Sequence, residues 1–167
     1  AALIIAQKED KGWQIGWDRK DTSALVTVTL PMIRAATLSG AGDLNVSSAT
    51  PEDTFAARLS GSGNMTVANS RAKAVDLTLT GAGNMKLRGV ADTVKAQLTG
   101  SGSIDAVALT ARDVTVGLTG AGNISASASE LATGTLSGVG NVDVVGPARC
   151  AVRKTGVGDV RCGVARE

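Results

Sequence analysis

The sequence predicts an all-β fold, a parallel β-helix of about seven turns with repeats of about 20 residues. Two features of the 167-residue chain carry this prediction. First, the phrase Ser/Thr-Gly-x-Gly, followed by a polar and then an apolar residue, occurs seven times. Second, apolar and polar residues alternate on both sides of the phrase, whereas the spacing of an amphipathic helix is absent. The alternation indicates two short strands in each repeat.

The first glycine of each phrase sets the period of the repeat. Successive intervals are 21, 20, 19, 20, 18 and 18 residues, counted between Gly40, Gly61, Gly81, Gly100, Gly120, Gly138 and Gly156. A period that varies by one or two residues is typical of a solenoid, because loops can change length while the strands keep their register. We expect both glycines of each phrase to be architectural.

The same residue types return at the same position of every repeat. A leucine stands two residues before the first glycine in six copies, at Leu38, Leu59, Leu79, Leu98, Leu118 and Leu136. A meander of hairpins would pair residues within one repeat and would not need this identity. Stacked parallel turns, about 4.8 Å apart, place like residues on one another and therefore explain it.

The ends of the stack are marked by charge in the apolar rows. Lys154 replaces the leucine in the last copy, and Arg34 begins the apolar row six residues before the glycine. We therefore expect one domain over 1–167, with repeat turns over 34–163. Residues 1–33 would supply capping strands that cover the first turn, including the segments 13–17 and 25–30.

Composition excludes several classes of function. A net charge of +2 with scattered basic residues argues against nucleic acid as a partner. No apolar run is long enough to span a membrane. The chain has no histidine and two cysteines, so we expect no zinc site, no cofactor and no nucleophile–base catalysis. It begins with Ala, which is compatible with removal of a targeting segment.

A carboxylate pair keeps carbohydrate cleavage open as an alternative. Asp105 and Asp143 lie in one outward row, two turns or about 10 Å apart. An inverting acid and base are expected at roughly 6.5 to 9.5 Å. We interpret the two carboxylates as solvated surface charges.

Two further outward rows are regular. Three residues after the glycine, amides dominate, and Asn64, Asn84, Asn123 and Asn141 predict a surface ladder of stacked side chains. Calcium binding at these turns stays an alternative, although neutral amides carry little charge for it. One residue before the glycine every copy has a hydroxyl, for which we expect a stabilising ladder rather than an ice-binding surface.

Cys150 and Cys162 lie six residues on either side of Gly156, both in inward rows of the last turn. In an oxidising compartment a disulfide between them would close this turn. The alternative is a pair of buried free thiols acting as small apolar residues.

The recurrent Leu-Ser/Thr-Gly-x-Gly-Asn/Asp-apolar phrase and the closing "GPARCAVRKTGVGDVRCG" resemble the bacterial family called the putative auto-transporter adhesin head GIN domain. The resemblance covers about residues 23–163. It implies a right-handed parallel β-helix exported to the periplasm, the cell surface or the medium, without an established activity. We therefore expect a non-enzymatic scaffold or adhesin-like module that binds a surface polymer or protein. A carbohydrate-active enzyme is the alternative, and self-association through open ends is a further expectation.

Overall fold

A computed structural model describes residues 2–6, 32–51 and 53–163 of the chain. The elements of this part are nine β-strands, numbered β1 to β9 in chain order. Their bounds are Ala2–Ala6, Ala35–Gly40, Asp43–Val46, Thr54–Gly61, Asn64–Gly81, Asn84–Gly100, Ser103–Val145, Arg149–Lys154 and Val160–Cys162.

The strands form a parallel β-solenoid, as the repeats predict. The order of pairing is β1-β2-β4-β5-β6-β7-β8, with β3 on β5 and β9 on β7. The register of the pairing aligns equivalent positions one turn apart, such as Leu59 with Leu79 and Leu79 with Leu98. The chain makes about six turns rather than the predicted seven, because seven phrases enclose only six complete intervals.

The later strands are much longer than the two short strands predicted for each repeat. β5 has 18 residues and β7 has 43, since the chain keeps its ladder while it bends around each corner. At the corner before β6, the N–H of Ala82 donates to the carbonyl of Gly61 at 2.9 Å. The corner glycines therefore bend the strand without interrupting its hydrogen bonds.

One corner shows why glycine is needed there. Gly100 has a φ of 127°, a conformation that residues with a side chain rarely adopt. A Cβ at this position would also overlap the carbonyl oxygen of Gly81 in the preceding turn. Conformation and close backbone approach both require glycine.

The core is a column of stacked apolar side chains, mostly aliphatic, with Phe55 as its one described aromatic residue. Leu98 is 1% exposed and Leu118 is fully buried, each between apolar residues of the adjacent turns. Besides the strands before and after each Gly-x-Gly corner, the solenoid has a third side, which the sequence did not reveal. On this side Ala49 bridges to Ser70 on the next turn, and Ser70 lies in register with Gly89 on the turn after that. The Ser70 hydroxyl is buried without a hydrogen-bond partner among the described residues.

The two ends of the stack differ. At the amino-terminal end, β1 pairs in parallel with β2 and aligns Ile5 with Leu38. The predicted capping segments 13–17 and 25–30 lie outside the described residues. At the other end, no described strand pairs with the outer edge of β8, and Lys154 is exposed in the row of leucines.

Candidate functional site

One outer surface of the solenoid lies on the strands that lead into each Gly-x-Gly corner. We call it the hydroxyl face and define it by three outward rows, one, three and five residues before the first glycine. The first row, directly before the glycine, carries one hydroxyl per turn, at Ser39, Ser60, Thr80, Thr99, Thr119, Ser137 and Thr155. Because strands pair in parallel register, these groups repeat about every 4.8 Å along the axis.

The hydroxyls of this row are free to bind something outside the chain. From Ser60 to Ser137 all are exposed, and among the described residues none donates or accepts a side-chain hydrogen bond within the protein. Only Thr155, at the open end, bonds inward, to the carbonyl of Leu136 at 3.2 Å. The hydroxyl ladder predicted for this row is therefore not what the structure shows.

The rest of the hydroxyl face is polar with little net charge. Thr78, Gln97 and Thr135 occupy the second row between Arg58 and Arg153. In the third row, Asp76 lies in register with Lys95, so these opposite charges are neighbours. In the same third row, the hydroxyls of Thr115 and Thr133 form a hydrogen bond with each other at 3.3 Å.

The amide row runs along the next side of the solenoid and uses its polar groups internally. Asn84 Nδ2 donates to Asn64 Oδ1 at 3.1 Å, and Asn64 Nδ2 donates to Asp43 Oδ1 at 2.8 Å. Farther along, Asn141 Nδ2 donates to Asn123 Oδ1 at 3.3 Å. Ser103 separates these two ladders because its short side chain replaces the amide.

Asp105 and Asp143, the candidate acid and base, are not directed toward each other. Asp105 Oδ2 lies 3.6 Å from Lys86 Nζ on the turn before it. Asp143 is in register with Arg161 on the turn after it. Each carboxylate thus has a basic neighbour on the side away from the other, with Ser125 between their turns. Asp105 thus forms a surface ion pair with Lys86, whereas Arg161 beside Asp143 forms its ion pair with Asp159 at 3.6 Å.

A row of alternating charge, which the sequence reading missed, follows the third side. Lys73 Nζ contacts Asp53 Oδ1 at 3.1 Å, and Arg112 Nε donates to Glu130 Oε1 at 3.0 Å. Asp92 lies on the turn between Lys73 and Arg112. The hydrogen bond from Arg112 lowers the pKa of Glu130, and the same bond raises the pKa of Arg112. Comparing the residues that stand eight positions before the first glycine of each phrase would have revealed the alternation.

The two cysteines meet at the open end. The structure joins Cys150 and Cys162 in a disulfide, with Cα atoms 6.2 Å apart. Both positions continue inward rows, since Cys150 lies in register with Ala132 and Cys162 with Val144. Cys150 is nevertheless exposed, because no described turn covers it.

Concave and metal-binding features are few in the described part of the chain. An open depression of about 380 Å³ lies on the third side, lined by Thr50, Pro51, Arg71, Ala72, Lys73 and Asp92. No cluster of three or more Asp, Glu, Cys or His side chains occurs in residues 2–6, 32–51 and 53–163. The same ranges contain no helix that could cross a membrane.

Comparison with known proteins agrees with this architecture. The sequence model of a family described as "Putative auto-transporter adhesin, head GIN domain" matches residues 2–148, which starts earlier and ends sooner than the 23–163 expected above. No curated protein matches the chain significantly.

Two solved structures share the fold. A "putative adhesin" from Bacteroides fragilis is 26% identical with a TM-score of 0.75, and the match covers 79% of this chain and 61% of that one. A "putative lipid binding protein" from Parabacteroides distasonis is 17% identical with a TM-score of 0.62, covering 78% and 58%. This chain therefore spans less than two thirds of either neighbour, and the second shows the fold alone.

Proposed function

Because the chain belongs to the family described as putative auto-transporter adhesin, head GIN domain, we propose that it is an exported, non-enzymatic binding module. Its ligand is an extended, hydroxyl-rich polymer of the cell envelope, bound along the hydroxyl face. The observation that carries this proposal is the row of exposed hydroxyls from Ser60 to Ser137, which have no partner within the described protein.

The shape of the face favours an extended ligand over a small molecule. Five turns from Ser60 to Ser137 span about 20 Å along the axis, and three rows span about 13 Å across it. The outer surface of a sheet buries less of a small ligand than a pocket does, whereas a polymer can repeat one weak contact on each turn. Hydroxyl groups both donate and accept hydrogen bonds, as do the hydroxyls of a glycan.

The chemistry of the face supports binding rather than cleavage. A serine or threonine nucleophile needs an adjacent base, and the chain has no histidine. The carboxylates on the neighbouring side have the basic neighbours Lys86 and Arg161. The disulfide of Cys150 and Cys162 supports export, because such bonds persist in oxidising compartments.

A set of hydroxyl deletions tests the proposal. We expect the triple variant Thr80→Val, Thr99→Val, Thr119→Val to lose binding to insoluble envelope polysaccharide in a sedimentation assay, by tenfold or more in affinity. Valine keeps the shape and the strand preference of threonine, so the fold is retained. Purified capsule, peptidoglycan and outer-membrane glycan are the polymers to test.

The matched control carries the same substitutions on other sides of the solenoid, at Thr50, Thr66 and Thr110. Its binding should equal that of the unaltered chain. Equal binding by both triple variants would exclude the hydroxyl face as the site. Release of soluble sugar from any of the polymers, lost with Asp105→Asn, would instead establish the carbohydrate-active enzyme.

A further inference from the structure

The last described turn of the solenoid has a strand edge with which no described residue pairs. We call residues 149–163 the closing turn; it contains β8 and β9, which pair with β7 on one side only. The N–H of Thr155 donates to the carbonyl of Leu136 at 2.9 Å, and that of Gly163 donates to Val144 at 3.1 Å. Since successive backbone groups of a strand point to opposite edges, those of Val152, Lys154 and Val160 point away from the stack. No described residue pairs with them.

The closing turn also holds the positive charge of the molecule. It contains Arg149, Arg153, Lys154 and Arg161 with Asp159 as its one acidic residue, whereas residues 32–148 contain eight basic and nine acidic residues. All four basic side chains are exposed. They surround a centre formed by half-buried Val152, Val160 and the disulfide.

We propose that this edge binds an extended acidic peptide segment, which adds to the closing turn as one more rung of the solenoid. Backbone N–H and C=O groups in strand geometry are complemented by another polypeptide strand, the mode known as β-augmentation. The four basic side chains around the edge attract a peptide that carries carboxylates. The proposal does not rest on polymer binding by the hydroxyl face, although Arg153 ends the second row of that face, because the peptide pairs with the backbone edge of β8.

The register of the stack specifies the peptide. Each added residue lies above its equivalent on β8, so acidic residues belong above Arg149, Arg153 and Lys154 and an apolar residue belongs above Val152. A small residue belongs above Cys150, to continue the row in which Ala132 lies beneath it. The segment Asp-Ala-Thr-Val-Glu-Glu satisfies these positions from 149 to 154.

Charge disfavours the pairing of two copies through their closing turns. Two closing turns placed end to end would oppose Lys154 and Arg153 of one copy with those of the other, and like charges in contact are repelled. Lysine on an open strand edge is a common guard against self-pairing. The same residues that exclude an identical partner attract an acidic one.

Fluorescence anisotropy with a labelled, end-blocked peptide containing Asp-Ala-Thr-Val-Glu-Glu tests the proposal on the full chain. We expect saturable binding that weakens with added salt. The amide analogue, with Asn and Gln for the acids, should bind at least tenfold more weakly. The double variant Arg153→Glu, Lys154→Glu should lose at least tenfold in affinity, whereas Arg58→Glu, in the same row as Arg153 but on an early turn, should bind normally.

The backbone contribution is tested by Val152→Pro, which removes an N–H that no intramolecular bond uses and should abolish binding while the far-UV spectrum is unchanged. If this variant does not fold, a peptide with N-methyl groups on one edge replaces it and should fail to bind. Equal affinity for the acidic and amide peptides, equal weakening by Arg58→Glu, or dimers at low salt that compete with the peptide would each overturn the proposal.

Discussion

The middle turns and the closing turn share one sequence phrase but differ in what surrounds it. Leu98 has a turn on either side and is 1% exposed, whereas Lys154 occupies the same row and is exposed. The disulfide partner Cys150 is exposed as well, although Ala132 directly beneath it is fully buried. A solenoid turn therefore does not bury its own apolar residues, because its neighbours do so.

Residues at equivalent positions of different turns therefore contribute unequally to the free energy of unfolding. A leucine buried between two turns contributes about 1.5 to 3 kcal/mol of transfer free energy. The closing turn obtains such burial from one side only, so its stability depends more on a covalent bond. Four changes break or sharpen the comparison.

The largest effect is expected from Leu98→Asp. An unpaired carboxylate would enter the core between Leu79 and Leu118 and should lower the free energy of unfolding by about 3 to 5 kcal/mol. Lys154→Asp, in the same row at the open end, should change it by less than about 1 kcal/mol. Urea denaturation of the two variants measures this, and similar midpoints would show that burial along the row is not graded as described.

Reduction of the disulfide should act on the closing turn alone. The bond joins residues 12 apart, and loop-closure entropy predicts a stabilisation of about 3 kcal/mol for such a ring. Hydrogen exchange of 149–163 should quicken on reduction, while residues 84–106 stay protected. Alkylation and mass spectrometry of the unreduced protein come first, since two free thiols per chain would refute the bond in solution.

A pair of glycines at the second position of the phrase gives a third test. A Cβ on Gly102 would overlap the carbonyl oxygen of Gly83, so Gly102→Ala should cost about 2 kcal/mol. Gly42, in the first turn, has no described atom within 4 Å of such a Cβ. Gly42→Ala should therefore leave the melting temperature nearly unchanged. Equal losses at the two sites would mean that backbone conformation, not the neighbouring turn, demands the glycine.

The smallest expected effect is a gain. Ser103→Asn would place an amide between Asn84 and Asn123 and so join the two hydrogen-bonded ladders. One or two added exposed bonds should raise the free energy of unfolding by about 0.5 to 1 kcal/mol. Ser125→Asn, in the outward row two residues further on, is the control and should give no gain. A loss of stability in Ser103→Asn alone would show that the gap at this turn is required.

Much of the fold could be predicted because each turn repeats the same local constraints. The leucine row and the Gly-x-Gly corners required parallel stacking, and the register of Leu59 with Leu79 confirms it. The third side could not be predicted, because Ser70, Gly89 and Leu109 share one corner position without sharing a residue type. The long continuous strands were also missed, since a glycine in the sequence does not tell whether hydrogen bonds continue across it.

The candidate site, like the fold, was predictable from the sequence in part. Sequence located the hydroxyl and amide rows, because a solenoid converts position in the repeat directly into position on a face. By itself, then, the sequence determined the parallel stack, its outward rows and the two ends, where Arg34 and Lys154 take positions in the apolar rows. Only the tertiary structure decided which polar groups are satisfied: Asn64 and Asn84 bond to each other, whereas the hydroxyls of Thr80 and Thr99 do not. Residue type does not decide this, because the hydroxyls of Thr115 and Thr133 meet across one turn spacing whereas those of Thr80 and Thr99 do not. The packing of each row in the folded stack therefore leaves the hydroxyls from Ser60 to Ser137 free to bind.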